Sequence, residues 1–125
     1  MKEKMIRTPI ALLLLACLAA CVSQPMYQWG TYESNLFQSY KDPTKVEALR
    51  INLEAHTVLM ESNRQKVAPG LYAELGTLYL QLGSSDKAIN MYKKEREAWP
   101  ESQGLMNSMI QNLERRTKEK AEKTQ

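Results

Sequence analysis

The chain lacks most of the side chains from which chemistry is built. It holds one histidine, His56, and two cysteines, Cys17 and Cys21, in 125 residues. A metal centre needs three or four donors at characteristic spacings, and none of those spacings is present. G-x-x-x-x-G-K-[ST], H-E-x-x-H and G-x-S-x-G are absent, and no motif places a nucleophile or an acid beside His56. The reading is therefore no enzyme, no cofactor and no metal. Charge of one sign is lacking too. The 17 basic residues exceed the 14 acidic ones by three, and setting aside Lys2, Lys4, Arg7 and Glu3 leaves 14 against 13. That balance is no electrostatic footprint for nucleic acid. Glu95 and Glu97 fall in the mixed-sign run Lys93-Lys94-Glu95-Arg96-Glu97, which reads as a solvated face.

The one long apolar run, Ile10 to Leu18, lies near the N-terminus behind Lys2, Lys4 and Arg7, and is too short to span a bilayer as a mature helix. It ends in Leu18-Ala19-Ala20-Cys21. Small residues before a cleavage point mark residues 1–20 as a signal peptide. The L-A-A-C ending resembles the bacterial lipobox, which makes Cys21 the first mature residue and its lipidation site. Cys17 would leave with the signal and Cys21 would be capped as a thioether, so the mature chain could form no internal disulfide. The expected partner of the acylated Cys21 is the membrane, at about 0.8 kcal/mol per buried methylene. Val22 and Ser23 follow, without aspartate. By resemblance to Gram-negative lipoproteins, this implies a lipid-anchored, periplasm-facing position on the outer membrane.

Residues 21–30 read as a lipidated tether, 31–114 as a helical domain and 115–125 as a charged tail. The dense aromatics of Tyr27-Gln28-Trp29-Gly30-Thr31-Tyr32 suit packing onto the helices rather than headgroups. Thr31 is a candidate cap for a short helix to Tyr40, with Leu36, Phe37 and Tyr40 as its apolar side. Asp42-Pro43 signals the next helix, to about Arg64. It carries two apolar stripes. Val46, Leu49, Leu53, His56 and Met60 form one, and Ala48, Ile51, Ala55 and Val58 the other, so neighbours are expected on both sides. After a loop at Gln65–Pro69, Leu71, Leu75, Leu78 and Leu82 form the inner stripe of the next helix. Gly83 is a stop signal. A second helix follows from Ser85 to Trp99, where Pro100 forbids continuation. A last helix begins near Leu105, with Leu105, Met109 and Leu113 on one face and Met106 and Ile110 beside it. The fold class is all-α, with about five helices.

Within this, Leu75-Gly76, Tyr79, Ala88, Tyr92 and Pro100 stand at the offsets of one tetratricopeptide-type repeat, a helical hairpin of about 34 residues. Gly76 lets the helices approach, and Ala88 fits into the contact. Tyr72 replaces the usual Trp. Glu95 replaces the usual Ala, so that contact is expected to be looser or to meet something polar. Such repeats bind protein segments along their first helices, which nominates Ala73, Thr77, Leu80 and Gln81 as partner-binding residues.

Tyr27, Trp29-Gly30, Tyr32-Glu33, Tyr40, Pro69-Gly70-Leu71, Ala73-Glu74, Gly76, Ala88, Glu95 and Trp99-Pro100-Glu101-Ser102 form a further pattern, covering Tyr27 to Leu113. In that pattern the chain resembles a family of small bacterial lipoproteins catalogued as a domain of unknown function. Members are typically encoded beside a lipoprotein resembling the curli-type secretion pore. This implies a protein-binding adaptor or accessory factor of an envelope export or assembly complex, whose partner is another envelope protein such as that pore-like lipoprotein. The alternative is a structural or peptidoglycan-associated envelope lipoprotein without a specific protein ligand.

Overall fold

The computed structural model describes residues 25–123. Its elements are α1 (Tyr32–Lys41), α2 (Val46–Ser62), α3 (Leu71–Gln81), α4 (Ser85–Ala98) and α5 (Gln103–Lys123). Single 3₁₀ turns stand at Pro43–Lys45 and Pro100–Ser102. The fold is all-α, with no strand among the described residues. The signal segment and Cys21 lie outside them.

Local chemistry sets the corners. Asp42 accepts from the Thr44 amide at 3.0 Å and its hydroxyl at 2.6 Å, while Pro43 opens the turn where a missing N–H is harmless. The α-helix proper starts three residues later than the proline, at Val46. α3 stops at a left-handed Gly83, φ 76°. There the Ser84 amide donates to the Tyr79 carbonyl and the Gly83 amide to Leu80, both at 2.9 Å. These are the paired bonds of a Schellman cap. α2 ends in the same motif, Gln65 N–H to Met60 at 2.9 Å and Arg64 N–H to Glu61 at 3.0 Å, but with Arg64 forced to φ 55°. Trp99 leaves α4 in an extended conformation, φ −132° and ψ 96°, as the following proline requires.

The α3–α4 hairpin is the closest-packed pair of helices. A Cβ on Gly76 would lie 2.7 Å from Tyr92 Cε1 and 3.2 Å from the Ala88 carbonyl oxygen. Only a residue without a side chain fits there. Leu71, Leu75 and Leu78 of α3 are buried, as are Ala88, Ile89 and Tyr92 of α4. α5 covers the far side of α4 with Met106, Ile110 and Leu113. α2 packs on α3 from the other side through Leu49, Leu53 and Met60, and α1 lies along α2.

Tyr72 and Tyr79, seven residues apart on α3, bind the hairpin to α2. The Tyr72 hydroxyl donates to Glu61 at 2.7 Å, and Lys94 of α4 pairs with the same carboxylate at 2.6 Å. Arg50 of α2 lies over the Tyr79 ring at 5.5 Å and Lys87 of α4 at 5.1 Å.

Several expectations about faces are corrected. The second stripe of α2 is not gripped: Ala48 and Ala55 are exposed, and Ile51 and Val58 are 51% and 58% exposed. No helix packs outside it among the described residues, so only the first stripe finds a partner. α1 turns Tyr32 and Leu36 inward and leaves Phe37 and Tyr40 exposed, because one narrow face of a short helix suffices to cover α2. In α5 the buried stripe runs through Met106, and Leu105 is 64% exposed. Leu82 sits at the C-cap of α3 and points to solvent for want of a following turn. Glu95, read from its neighbours as solvated, is 1% exposed. Thr31 precedes α1 without capping it through its side chain; its hydroxyl accepts from Asn35 instead, at 2.8 Å.

Candidate functional site

Of the four residues nominated on α3, three lie along one face at helical spacing, Ala73, Thr77 and Leu80, with Gln81 beside them. Ala73 is half-buried at the edge of the core. The Thr77 hydroxyl donates its single proton to the Ala73 carbonyl at 3.0 Å, so at its 3.1 Å contact with Tyr92 it accepts from the tyrosine hydroxyl. Thr77 thus ties α3 to α4 as much as it faces outward. Gln81 is exposed.

Leu80 is the residue the tertiary structure brings into a site. It is half-buried, and the middle of α5 stands opposite it. Leu80, Met109, Asn112, Leu113 and Arg116 line a groove of about 220 Å³. Leu80, Leu113 and Arg116 are shared with an adjoining depression of about 690 Å³, whose other wall is the α3–α4 turn and the start of α4 from Gly83 to Lys87. The floor is leucine and methionine; the rim holds Lys87, Arg116 and Asp86. An apolar floor with a few polar groups is the usual composition of a surface that takes an apolar side chain and fixes its polar neighbours. No sequence pattern nominates Met109 or Arg116 for this role. Only the packing of α5 across the hairpin brings them to Leu80.

At the other end of the same face, Glu74 is half-buried, and burial raises its pKa above the usual carboxylate range. Tyr32 of α1 is also raised, first by its own burial and then by the nearby Glu74 charge. On the α2 side, hydrogen bonds from Tyr79 and then Arg50 outweigh burial and hold Glu54 below its ordinary value. For Glu61, burial acts upward, but Lys94 and the Tyr72 hydroxyl prevail and the net shift is downward. The Glu61 contacts tie α2 to α3 and α4, and none of these groups lines the groove.

Five of the residues that carry the family resemblance, Tyr27, Gly70, Glu95, Trp99 and Ser102, meet at a second place, between the α2–α3 loop, α4 and the Pro100 turn. The Glu95 carboxylate accepts from the Gly70 amide at 2.8 Å and from the Ser102 hydroxyl at 3.2 Å through one oxygen. Gly70 is left-handed, φ 86°, which points its amide at the carboxylate. The other Glu95 oxygen and the indole nitrogen of Trp99 are buried without a hydrogen-bond partner. Tyr27 meets the Trp99 ring edge-on at 5.3 Å, and Lys66 lies 3.5 Å over its face. Further along α2, the His56 ring nitrogen donates to the Gln28 carbonyl at 3.0 Å, and the same ring lies where a Cβ on Gly30 would be, at 2.7 Å. The segment from Tyr27 to Gly30, read as tether, is therefore seated on the domain. Of the two sequence readings of Glu95, the solvated one fails, and the expectation that it meets something polar holds, the polar groups being the Gly70 amide and the Ser102 hydroxyl. The available signal was a charge in place of the small residue that the repeat pattern calls for. No group of three or more His, Cys, Asp or Glu residues stands where it could hold a metal ion among the described residues.

No curated protein and no solved structure matches the chain. A family described as a domain of unknown function, DUF4810, matches residues 26–109. That span takes in α1 to α4, both sides of the Glu95 junction and the first part of α5. The chain belongs to the DUF4810 family.

Proposed function

We propose that this protein is a lipid-anchored outer-membrane lipoprotein whose helical domain acts as a protein-binding adaptor of an envelope export or assembly complex. The Leu18-Ala19-Ala20-Cys21 ending carries the anchored half of the reading. Its test is incorporation of labelled palmitate: uptake by the wild type and none by Cys21→Ala supports the anchor, and no uptake by the wild type removes it.

The groove between α3 and α5 carries the adaptor half. The α3–α4 hairpin has the close Gly76–Ala88 approach of a tetratricopeptide-type unit. In such a unit the first helix and the helix after the hairpin form the concave wall. Here that wall offers Leu80, Met109 and Leu113 to an apolar side chain, with Arg116 and Lys87 at the rim. By the family resemblance, the partner is another envelope protein such as the secretion-pore-like lipoprotein. A photo-crosslinking residue at Gln81 or Arg116 is expected to trap one discrete protein in cells carrying the surrounding genes. The same residue at Glu33 on α1 is the control. Equal trapping at all three positions, or none, favours the structural alternative without a specific protein ligand.

A further inference from the structure

The groove does not account for the largest anomaly on the surface. The outer side of α2, opposite its buried stripe, is apolar for about three turns. Ala48, Ile51, Ala55, Val58 and Leu59 are all exposed, with the three large residues at 51%, 58% and 56%. An apolar stripe that continuous marks a contact. We propose that this face of α2 lies against the lipid surface to which Cys21 holds the chain.

The length of chain before the domain selects the occupant. This step rests on the anchored reading above. Five residues, Val22 to Met26, separate Cys21 from Tyr27. Tyr27 is seated on Trp99 and Gln28 on His56. At about 3.3–3.6 Å per residue, the tether spans roughly 20 Å at most. His56 and Leu59 are one turn apart on α2, so the docked segment runs beside the edge of the stripe. The 17 residues of α2 are about 25 Å long. A tether of that reach keeps the stripe within one helix length of the bilayer.

Charge does not oppose the contact. The acidic row flanking the stripe is already paired: Arg50 with Glu47 at 2.7 Å and Glu54 at 2.6 Å, Lys94 with Glu61 at 2.6 Å. Cations stand at both ends of the helix, Lys41 and Lys45 before it and Arg64 and Lys66 after it. Basic residues near an anionic bilayer favour the contact electrostatically. Three exposed large residues bind a free bilayer weakly. Tethering makes the contact intramolecular, and an effective concentration in the millimolar range makes a weak contact sufficient.

The test separates this inference from the lipidation it rests on. The mature chain beginning at Cys21 is coupled through that thiol to a maleimide-headgroup lipid, in vesicles of phosphatidylethanolamine and phosphatidylglycerol. The vesicles also contain a phospholipid with a diazirine in its acyl chain. After illumination, mass spectrometry is expected to find label on Ile51–Leu59 several-fold above that on residues 114–123 of α5. The double substitution Ile51→Asp, Val58→Asp, on exposed positions that leave the core intact, should abolish the α2 label. Label confined to residues before Tyr27, equal label on α2 and α5, or a crosslinked dimer through α2 in place of lipid label each overturns the proposal. Palmitate labelling in cells reports the natural anchor independently of any of these outcomes.

Discussion

α2 and α4 show opposite inversions of the usual rule of burial. α2 exposes Ile51, Val58 and Leu59 on its outer face, while α4 buries the carboxylate of Glu95. The difference lies in the number of neighbours. α4 is held between α3 and α5, so even a charged residue on it is enclosed, and it is tolerated because the Gly70 amide and the Ser102 hydroxyl meet it. α2 has α1 and α3 on adjoining sides and, among the described residues, no helix beyond, so its second apolar stripe stays in solvent. Hydrophobicity alone does not decide which residues are inside. The helix on the far side does.

The sharpest way to break the comparison is to shave one residue from each face of α2. Leu53→Ala should cost about 3 kcal/mol by leaving a cavity in the core, whereas Val58→Ala should stay within about 0.5 kcal/mol, both read by urea unfolding. Comparable losses would mean that the outer stripe is packed in solution.

Next comes the buried charge. Glu95→Ala should destabilise by about 2–3 kcal/mol, because it strands the Gly70 amide and opens space beside Trp99. Glu95→Gln keeps an acceptor and should cost less. If Glu95→Gln proves as damaging as Glu95→Ala, the negative charge itself matters and the hydrogen bonds alone do not explain the position.

Gly76→Ala tests the α3–α4 contact. Alanine would gain about 1 kcal/mol of helix propensity. Its Cβ would press on a fully buried Tyr92 ring, and overpacking typically costs about 1–3 kcal/mol. A net loss of about 1 kcal/mol is expected in the melting curve. A gain would show that the Tyr92 ring yields.

Arg64→Gly should act in the other direction. Arg64 occupies a left-handed cap position at φ 55°, the place that Gly83 fills at the end of α3. Relieving the Cβ clash should stabilise by up to about 1 kcal/mol. An unchanged melting temperature would mean that the arginine side chain offsets its own strain.

The smallest effect concerns Glu74. Burial raises its pKa in the folded state, so the folded chain binds more protons there than the unfolded one, and stability falls as pH rises through that window. Glu74→Gln should therefore stabilise at neutral pH, and the gain should fade below the ordinary carboxylate pKa. A gain of equal size at both pH values would rule out desolvation of the charge as its cause.

Many of the fold's corners are legible in the sequence. Asp42-Pro43, Gly83 and Trp99-Pro100 fall at the helix boundaries they signal, because each acts on its own backbone within a turn. The Gly76–Ala88 contact is legible for a related reason, since the shortness of the loop leaves the two helices little choice but to pair. The site is less so. Leu80 can be nominated from its helix face, but Met109 and Arg116 join it only through α5, a segment about thirty residues further on.

What the sequence determined by itself is therefore local: an all-α chain, most helix starts and stops to within a few residues, and which residues share a stripe. Periodicity says that two residues lie on one side of a helix. It does not say whether another helix is there. The tertiary structure decided that Leu53 is inside and Val58 outside, that Met106 replaces Leu105 in the core, and that Glu95 leaves a row of solvated charges to join Gly70 and Ser102. The physical reason is the same in each case. Burial free energy belongs to a contact between elements distant in sequence, and only the assembled fold makes the contact.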